Sequence, residues 1–172
     1  MKKILLGLLL VVAIMQVQAQ KKNSDSKIAF NVGAELAKAT GNLNVNYSIG
    51  LGATAQLEYT LDDMKTITLN SGILQYIGRK TVSILPNSPA QKNRNSAVIP
   101  VLAGIKYNFA SNFYGAAELG ISIFSGSNAL GSTFTYVPGL GFKANDKIDV
   151  LLKYTGYANN GGAFGVRVSY AL

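Results

Sequence analysis

The sequence predicts an all-β fold: an eight-stranded antiparallel up-and-down transmembrane β-barrel. Three observations predict it. From Lys27 onward, apolar residues recur at every second position in eight successive segments. Tight connectors alternate with longer ones along the chain. The polar face of the segments is rich in glycine, which suits the inside of a narrow barrel.

The first element is an address. Lys2 and Lys3 precede an apolar run from Ile4 to Met15, and Val17-Gln18-Ala19 offers short side chains to a peptidase. This is the pattern of a secretory signal peptide over residues 1–19, cleaved after Ala19. The run has about a dozen residues, short of the ~20 that a membrane-spanning helix needs. No Cys follows it, which excludes a lipid-anchored lipoprotein. Residues 20–26 then form a short tail, and residues 27–172 the barrel.

The strands follow in order. Lys27–Ala37 sets Ile28, Phe30, Val32 and Leu36 against Asn31, Gly33 and Glu35. Tyr47–Leu61 sets Tyr47, Ile49, Leu51, Leu57, Tyr59 and Leu61 against Ser48, Gly50, Gly52, Thr54, Gln56 and Glu58. In Lys65–Ile77, Ile67, Leu69, Ile73 and Ile77 oppose Thr66, Thr68, Asn70 and Gly72, while Leu74 and Tyr76 fall on the polar side. Ala97–Phe109 has Ile99, Val101, Ile105, Tyr107 and Phe109 on one face; Pro100, Gly104 and Lys106 lie opposite, with Leu102 among them as an exception. Phe113–Phe124 carries Phe113, Ala117, Leu119, Ile121 and Ile123 against Ala116, Glu118, Gly120 and Ser122. Phe134–Lys143 alternates Phe134, Tyr136, Leu140 and Phe142 with Thr135, Gly139, Gly141 and Lys143. Ile148–Tyr157 alternates Ile148, Val150, Leu152 and Tyr154 with Asp149, Lys153 and Thr155. The last strand sets Phe164, Val166, Val168, Tyr170 and Leu172 against Gly165, Arg167, Ser169 and Ala171.

Alternation alone leaves open which face meets water. A soluble barrel would turn the apolar face inward. Glycine on a solvated face weakens a strand with no gain; inside a narrow barrel it makes room for the few large residues. Asp62-Asp63, Ala110–Asn112 and Ala144–Asp146 are tight turns, whereas Lys38–Asn46, Arg79–Asn95, Ser125–Gly131 and Ala158–Gly162 are mostly longer. Short turns at one end and longer loops at the other fit a membrane barrel. Tyr47, Tyr59, Tyr107, Phe109, Phe113, Phe134, Phe142 and Tyr154 sit near strand ends on the apolar face, as rings do at membrane interfaces.

Two segments carry a family likeness: Ile99-Pro100-Val101 through Lys106-Tyr107, and Pro138-Gly139-Leu140-Gly141-Phe142. With them the chain resembles the small outer-membrane β-barrels of Gram-negative bacteria, OmpX-like and PorT-like. The terminal strand resembles that family's C-terminal recognition signal, with Leu172 where Phe is usual. The resemblance implies a monomer in the cell outer membrane. Its surroundings would be outer-membrane lipid, and its biogenesis partners periplasmic chaperones and the barrel-assembly machinery.

The charges divide into two sets. Glu35, Glu58, Glu118 and Asp149 fall on the inward face, as do Lys106, Lys143, Lys153 and Arg167. Equal numbers suit a paired interior, because unpaired charge in a water-poor lumen costs several kcal/mol. The expected pairs are Arg167 with Glu35, on the strands that close the barrel, and Lys106 with Glu118 across a tight turn. Such a network either plugs the lumen or lines an ion path. The longer loops carry Lys38, Arg79, Lys80, Lys92 and Arg94 and no acid. They suit lipopolysaccharide phosphates or a partner, or are plain solvated loops.

Composition excludes much chemistry. The chain has no Cys and no His, which removes thiolate metal sites, Cys nucleophiles and the commonest general base. Outer-membrane barrel enzymes resemble one another in relying on His, and no spacing here supports a Ser–Lys pair. No enzyme, metal or cofactor is expected. The net charge of +8 is scattered along the chain, so nucleic acid is not the expected partner. Three readings remain, in order: a structural or interaction barrel over a plugged polar lumen, a narrow channel for ions or small solutes, and a soluble periplasmic ligand-binding barrel.

Overall fold

The computed structural model describes residues 27–81, 91–125, 131–158 and 161–172. The signal peptide expected over 1–19 and the tail over 20–26 lie outside these residues. In chain order the elements are β1 (Ile28–Thr40), α1 (Leu43–Asn46), β2 (Tyr47–Thr60), β3 (Lys65–Gly78), β4 (Lys80–Thr81), β5 (Gln91–Lys92), β6 (Ser96–Asn108), β7 (Phe113–Ser125), β8 (Ser132–Lys143), β9 (Ile148–Tyr157) and β10 (Gly161–Ala171). Eight strands close a barrel in the order β1-β10-β9-β8-β7-β6-β3-β2, and β4 with β5 makes a separate ladder. Closure pairs the first strand with the last, with Glu35 directly opposite Arg167. No strand of the barrel is left with an open edge, the condition for crossing hydrocarbon with satisfied backbone groups.

The tight turns are built by side chains. Asp62 Oδ1 accepts the backbone N–H groups of Met64 at 2.9 Å and Lys65 at 2.8 Å. Asn145 Oδ1 does the same for Lys147 at 2.9 Å and Ile148 at 2.8 Å. Both are Asx turns, in which a short polar side chain replaces a backbone acceptor. These turns define one end of the barrel, here the turn end. The longer connectors define the loop end.

The apolar face is outside. Leu119 is 55% exposed and Leu140 64%, while Glu118 and Arg167 are each 1% exposed. That inversion of the usual soluble pattern follows from hydrocarbon as the outer solvent. Glycine on the inner face serves close packing: a Cβ at Gly52 would lie 2.3 Å from Ile73 O, and one at Gly104 2.4 Å from Ala117 O.

The structure corrects the sequence reading in two places. Tyr47 is not on the outer face. The β2–β3 register shifts between Tyr47 and Gly50, and this irregularity turns the ring inward to 2% exposure. Lys38 is not a loop residue, because β1 runs on to Thr40 and pairs Lys38 with Ile49 and Phe164. The long connector Arg79–Asn95 carries the short β4–β5 ladder. Leu74, Tyr76 and Leu102 point inward, as their parity requires.

Candidate functional site

The inside of the barrel has two unlike regions. Toward the loop end lies an apolar layer of Leu43, Tyr47, Leu74, Tyr76, Val98, Phe124 and Tyr157. Leu43 is delivered by α1, which folds back over the barrel mouth and buries that side chain to 2% exposure. Tyr47 and Tyr76 lie with ring centroids 6.1 Å apart, and Phe124 meets Tyr157 edge to face at 5.1 Å. The Tyr76 and Tyr157 hydroxyls share a hydrogen bond of 3.3 Å, so neither is left unpaired. Gly50 makes room for Tyr76: a Cβ there would lie 2.9 Å from the ring.

Below that layer the lumen is ionic. Glu118 on β7 accepts hydrogen bonds from Arg167 Nη2 at 3.1 Å, Gln56 Nε2 at 3.3 Å and Asn70 Nδ2 at 3.2 Å. Lys153 on β9 bonds Glu35 on β1 at 2.7 Å. It crosses Gly165, its direct partner on β10, where no side chain stands in the way. Nearer the turn end, Lys106 bonds Glu58 at 2.7 Å and Asp149 at 3.1 Å, with its ammonium 4.6 Å from the centroid of the Tyr114 ring. The Tyr114 hydroxyl donates to Asp149, and Asn31 Nδ2 donates to Glu58 at 2.6 Å. Glu58, Glu118 and Asp149 thus each have a cation and at least one more donor, while Glu35 is held by Lys153. Such pairing offsets the desolvation cost of burying charge.

The two pairs expected from sequence do not form. Arg167 stands opposite Glu35 in register, but its guanidinium reaches across the lumen to Glu118, and Glu35 is taken by Lys153. Lys106 turns away from Glu118 toward the two carboxylates at the turn end. Its neighbour across the β6–β7 ladder is Ala116, while Glu118 faces Gly104. Lys143, half-buried and opposite Asp149, makes no ion pair among the described residues. It lines a polar crevice of about 340 Å³ at the turn end, beside Glu58, Asn31 and Asp149. Tyr114 was missed as a site residue, although alternation from Phe113 places it inward. Gln56 and Asn70 were assigned to the inner face, but nothing in the sequence marks them as ligands of Glu118.

The loop end is basic. Arg79, Lys80 and Arg94 are exposed, and Lys38 is exposed on the outer wall just below them. Lys92 pairs with Lys80 through the β4–β5 backbone. Arg79 Nη1 donates to Asn44 O at 3.1 Å and the Arg79 N–H to Asn46 O at 2.8 Å, which ties this connector to α1. Gly78 lets it pass, since a Cβ there would lie 1.9 Å from Asn93 O.

No protein-family model and no curated protein matches the sequence. Solved structures match the fold. The outer membrane protein Ail of Yersinia pestis, in a phospholipid bilayer nanodisc, is 11% identical over 84% of this chain and 99% of that chain, with a TM-score of 0.55. A de novo designed transmembrane β-barrel is 10% identical over 84% and 95%, with a TM-score of 0.53. Neisserial surface protein A is 14% identical over 84% and 97%, with a TM-score of 0.50. At these identities the likeness is one of fold, and that fold is the eight-stranded transmembrane β-barrel.

Proposed function

We propose that the chain is a non-catalytic barrel of the outer membrane with a structural and interaction role. It displays a basic loop end to the outside and keeps its lumen closed to solutes. The observation that carries this reading is the burial of large side chains at successive levels of the lumen. Tyr76, Leu102, Glu118, Leu151 and Arg167 are each at most 1% exposed. An eight-stranded barrel is just wide enough for side chains to fill. The signal-peptide pattern of residues 1–19 and the apolar outer wall support the location, with the turn end periplasmic. Lys38, Arg79, Lys80, Lys92 and Arg94 are then the candidate contacts for the phosphates of outer-leaflet lipopolysaccharide.

Planar-bilayer recording tests the closed lumen. The wild-type barrel should show no steady single-channel current, and sizeable steady currents would promote the narrow-channel reading, which the turn-end crevice favours. Cysteine labelling on whole cells tests the orientation. Cysteines in the Arg79–Asn95 connector should react with an impermeant reagent, whereas cysteines at Asp62 or Asn145 should not. Binding to lipopolysaccharide vesicles should fall in Lys80→Ala/Arg94→Ala and weaken with salt. Equal binding by the double variant would remove the phosphate contact.

A further inference from the structure

The outer wall is mostly large and apolar, and small residues interrupt it in more than one place: Ala34, Ala53, Ala55 and Ser71 adjoin on β1 to β3, and a further patch lies on β7 and β8. Gly115 and Ala117 on β7 and Pro138 on β8 occupy neighbouring outward positions, with Ala117 directly opposite Pro138 and Gly115 opposite Leu140. They floor a groove of about 570 Å³ between Ile105 and Tyr107 on one side and Leu152 and Tyr154 on the other. Packing does not demand the small floor. A Cβ at Gly120, on the same strand, would lie 2.1 Å from Val101 O, whereas one at Gly115 would meet nothing within 4 Å. The β8–β9 ladder is also interrupted here: it pairs Tyr136 with Gly156 and resumes only at Gly139 with Lys153. Pro138 lies in that gap and has no N–H to give. The groove therefore follows a seam in the barrel wall.

We propose that this groove is a binding site for one acyl chain of a phospholipid in the leaflet at the turn end. The proposal rests on the membrane-spanning reading of the outer wall. Four observations select the occupant. The neighbouring outward residues Leu140, Leu152 and Phe164 are 64%, 58% and 59% exposed, so the medium around the groove is hydrocarbon. No free charge faces it, because the ammonium of Lys153, which contributes to the lining, is bonded to Glu35 inside the barrel. The site thus takes a chain and not a headgroup. At roughly 30 Å³ per methylene, close to the volume of a water molecule, its size fits a single long chain. Gly115 lies two positions from Phe113, where β7 begins at the turn end, and this sets the leaflet. A second copy of the barrel is the competing occupant, and the oligomeric state separates it from a lipid chain in the test below.

The test uses four proteins reconstituted in phospholipid vesicles: wild type; Gly115→Leu/Ala117→Leu, which fills the groove; Ala117→Leu; and Ala103→Leu, which makes that same Ala-to-Leu change on the wall outside the groove. Insertion of each is checked first by heat-modifiable migration. Extraction into mild detergent and native mass spectrometry then count retained phospholipid. Wild type and Ala103→Leu should each retain one phospholipid. The filled variant should retain at least about tenfold less, equivalent to about 1.4 kcal/mol. The single variant Ala117→Leu should fall between them. Equal retention by all inserted proteins overturns the groove. A wild-type dimer that the filled variant loses also overturns it, in favour of a second copy. Failure of all of them to insert overturns the membrane reading itself.

Discussion

The loop-end layer and the ionic layers below it fill the same lumen by different physics. Leu43, Tyr47, Tyr76, Phe124 and Tyr157 hold together by contact area, and their interactions grade smoothly with side-chain size. Arg167, Glu118, Lys153, Glu35, Lys106, Glu58 and Asp149 hold together by ion pairing, with Lys106 shared between two carboxylates, and lose most when one partner is removed alone. The difference teaches where a single substitution is tolerable. An apolar layer forgives a smaller residue, while a charged layer does not forgive an odd one.

The largest expected effect is therefore in the ionic layer. Arg167→Met leaves the carboxylate of Glu118 buried with only amide donors. Breaking one side of a buried pair costs about 3–5 kcal/mol. Urea unfolding of the barrel from detergent micelles, read by gel shift, should show that loss. The double variant Arg167→Met/Glu118→Gln should recover most of it, because no uncompensated charge remains. A double variant as unstable as the single one would mean that shape, not charge, governs this layer, and the contrast between the regions would collapse.

The outer wall gives the next comparison, between faces instead of levels. Leu119 is outward and 55% exposed, while Ser122 is inward and fully buried. Leu119→Arg places a cation in hydrocarbon, at about 2–4 kcal/mol near the midplane. Refolding yield into phospholipid vesicles should drop for Leu119→Arg and stay near wild type for Leu119→Ile. Equal yields would show that this wall does not face lipid.

How much of this was legible in the sequence depends on which geometry each feature needs. Strand parity needs only the chain itself, so Glu35, Glu118, Lys153 and Arg167 could all be placed inside from the alternation. The adjacency of Glu35 and Arg167 at closure was legible too, but the register was not: counting from the strand ends puts them at offset depths, whereas the ladder sets them directly opposite. Nor were the actual partners. Which side chains meet across the lumen depends on barrel width and stagger, and these bring Glu118 of β7 within reach of Arg167 on β10. Tyr47 was misplaced because an irregular residue near a strand end reverses parity without altering composition. The groove at Pro138 was missed because its floor comes from two strands: Pro138 stands out within its own strand, but only the β7–β8 register sets Ala117 opposite it and Gly115 beside it.

A smaller effect separates the two contributions within the apolar layer. Tyr76→Phe keeps the ring and removes only the hydroxyl that meets Tyr157 at 3.3 Å. The loss should be about 0.5–1.5 kcal/mol, the usual net worth of one hydrogen bond. Tyr76→Ala should cost about 3–5 kcal/mol through the cavity it leaves. The same urea titration measures both. A loss for Tyr76→Phe as large as for Tyr76→Ala would mean that the loop-end layer also depends on polar pairing.

The smallest effect lies outside the membrane, where two turns of the same design differ in one atom group. Asp62 and Asn145 each accept two backbone N–H groups in their turns, but only Asp62 titrates. The N–H of Met64 holds the Asp62 carboxyl below its ordinary value, and the backbone and ammonium of Lys65 act in the same direction against partial desolvation. A carboxyl whose pKa is lower when folded stabilises the fold above its unfolded value. That contribution is lost as pH falls through the folded value. Barrel stability should therefore decline slightly as pH drops through and below the ordinary carboxylate range. In Asp62→Asn this part of the decline should vanish, while the turn keeps its two hydrogen bonds through the amide oxygen. Conversely, Asn145→Asp should add an acid-sensitive contribution at the β8–β9 turn. Thermal gel-shift midpoints from neutral pH down to strongly acidic pH would read both. Identical pH profiles for wild type and Asp62→Asn would show that the charge adds nothing beyond the hydrogen bonds that Asn145 already makes.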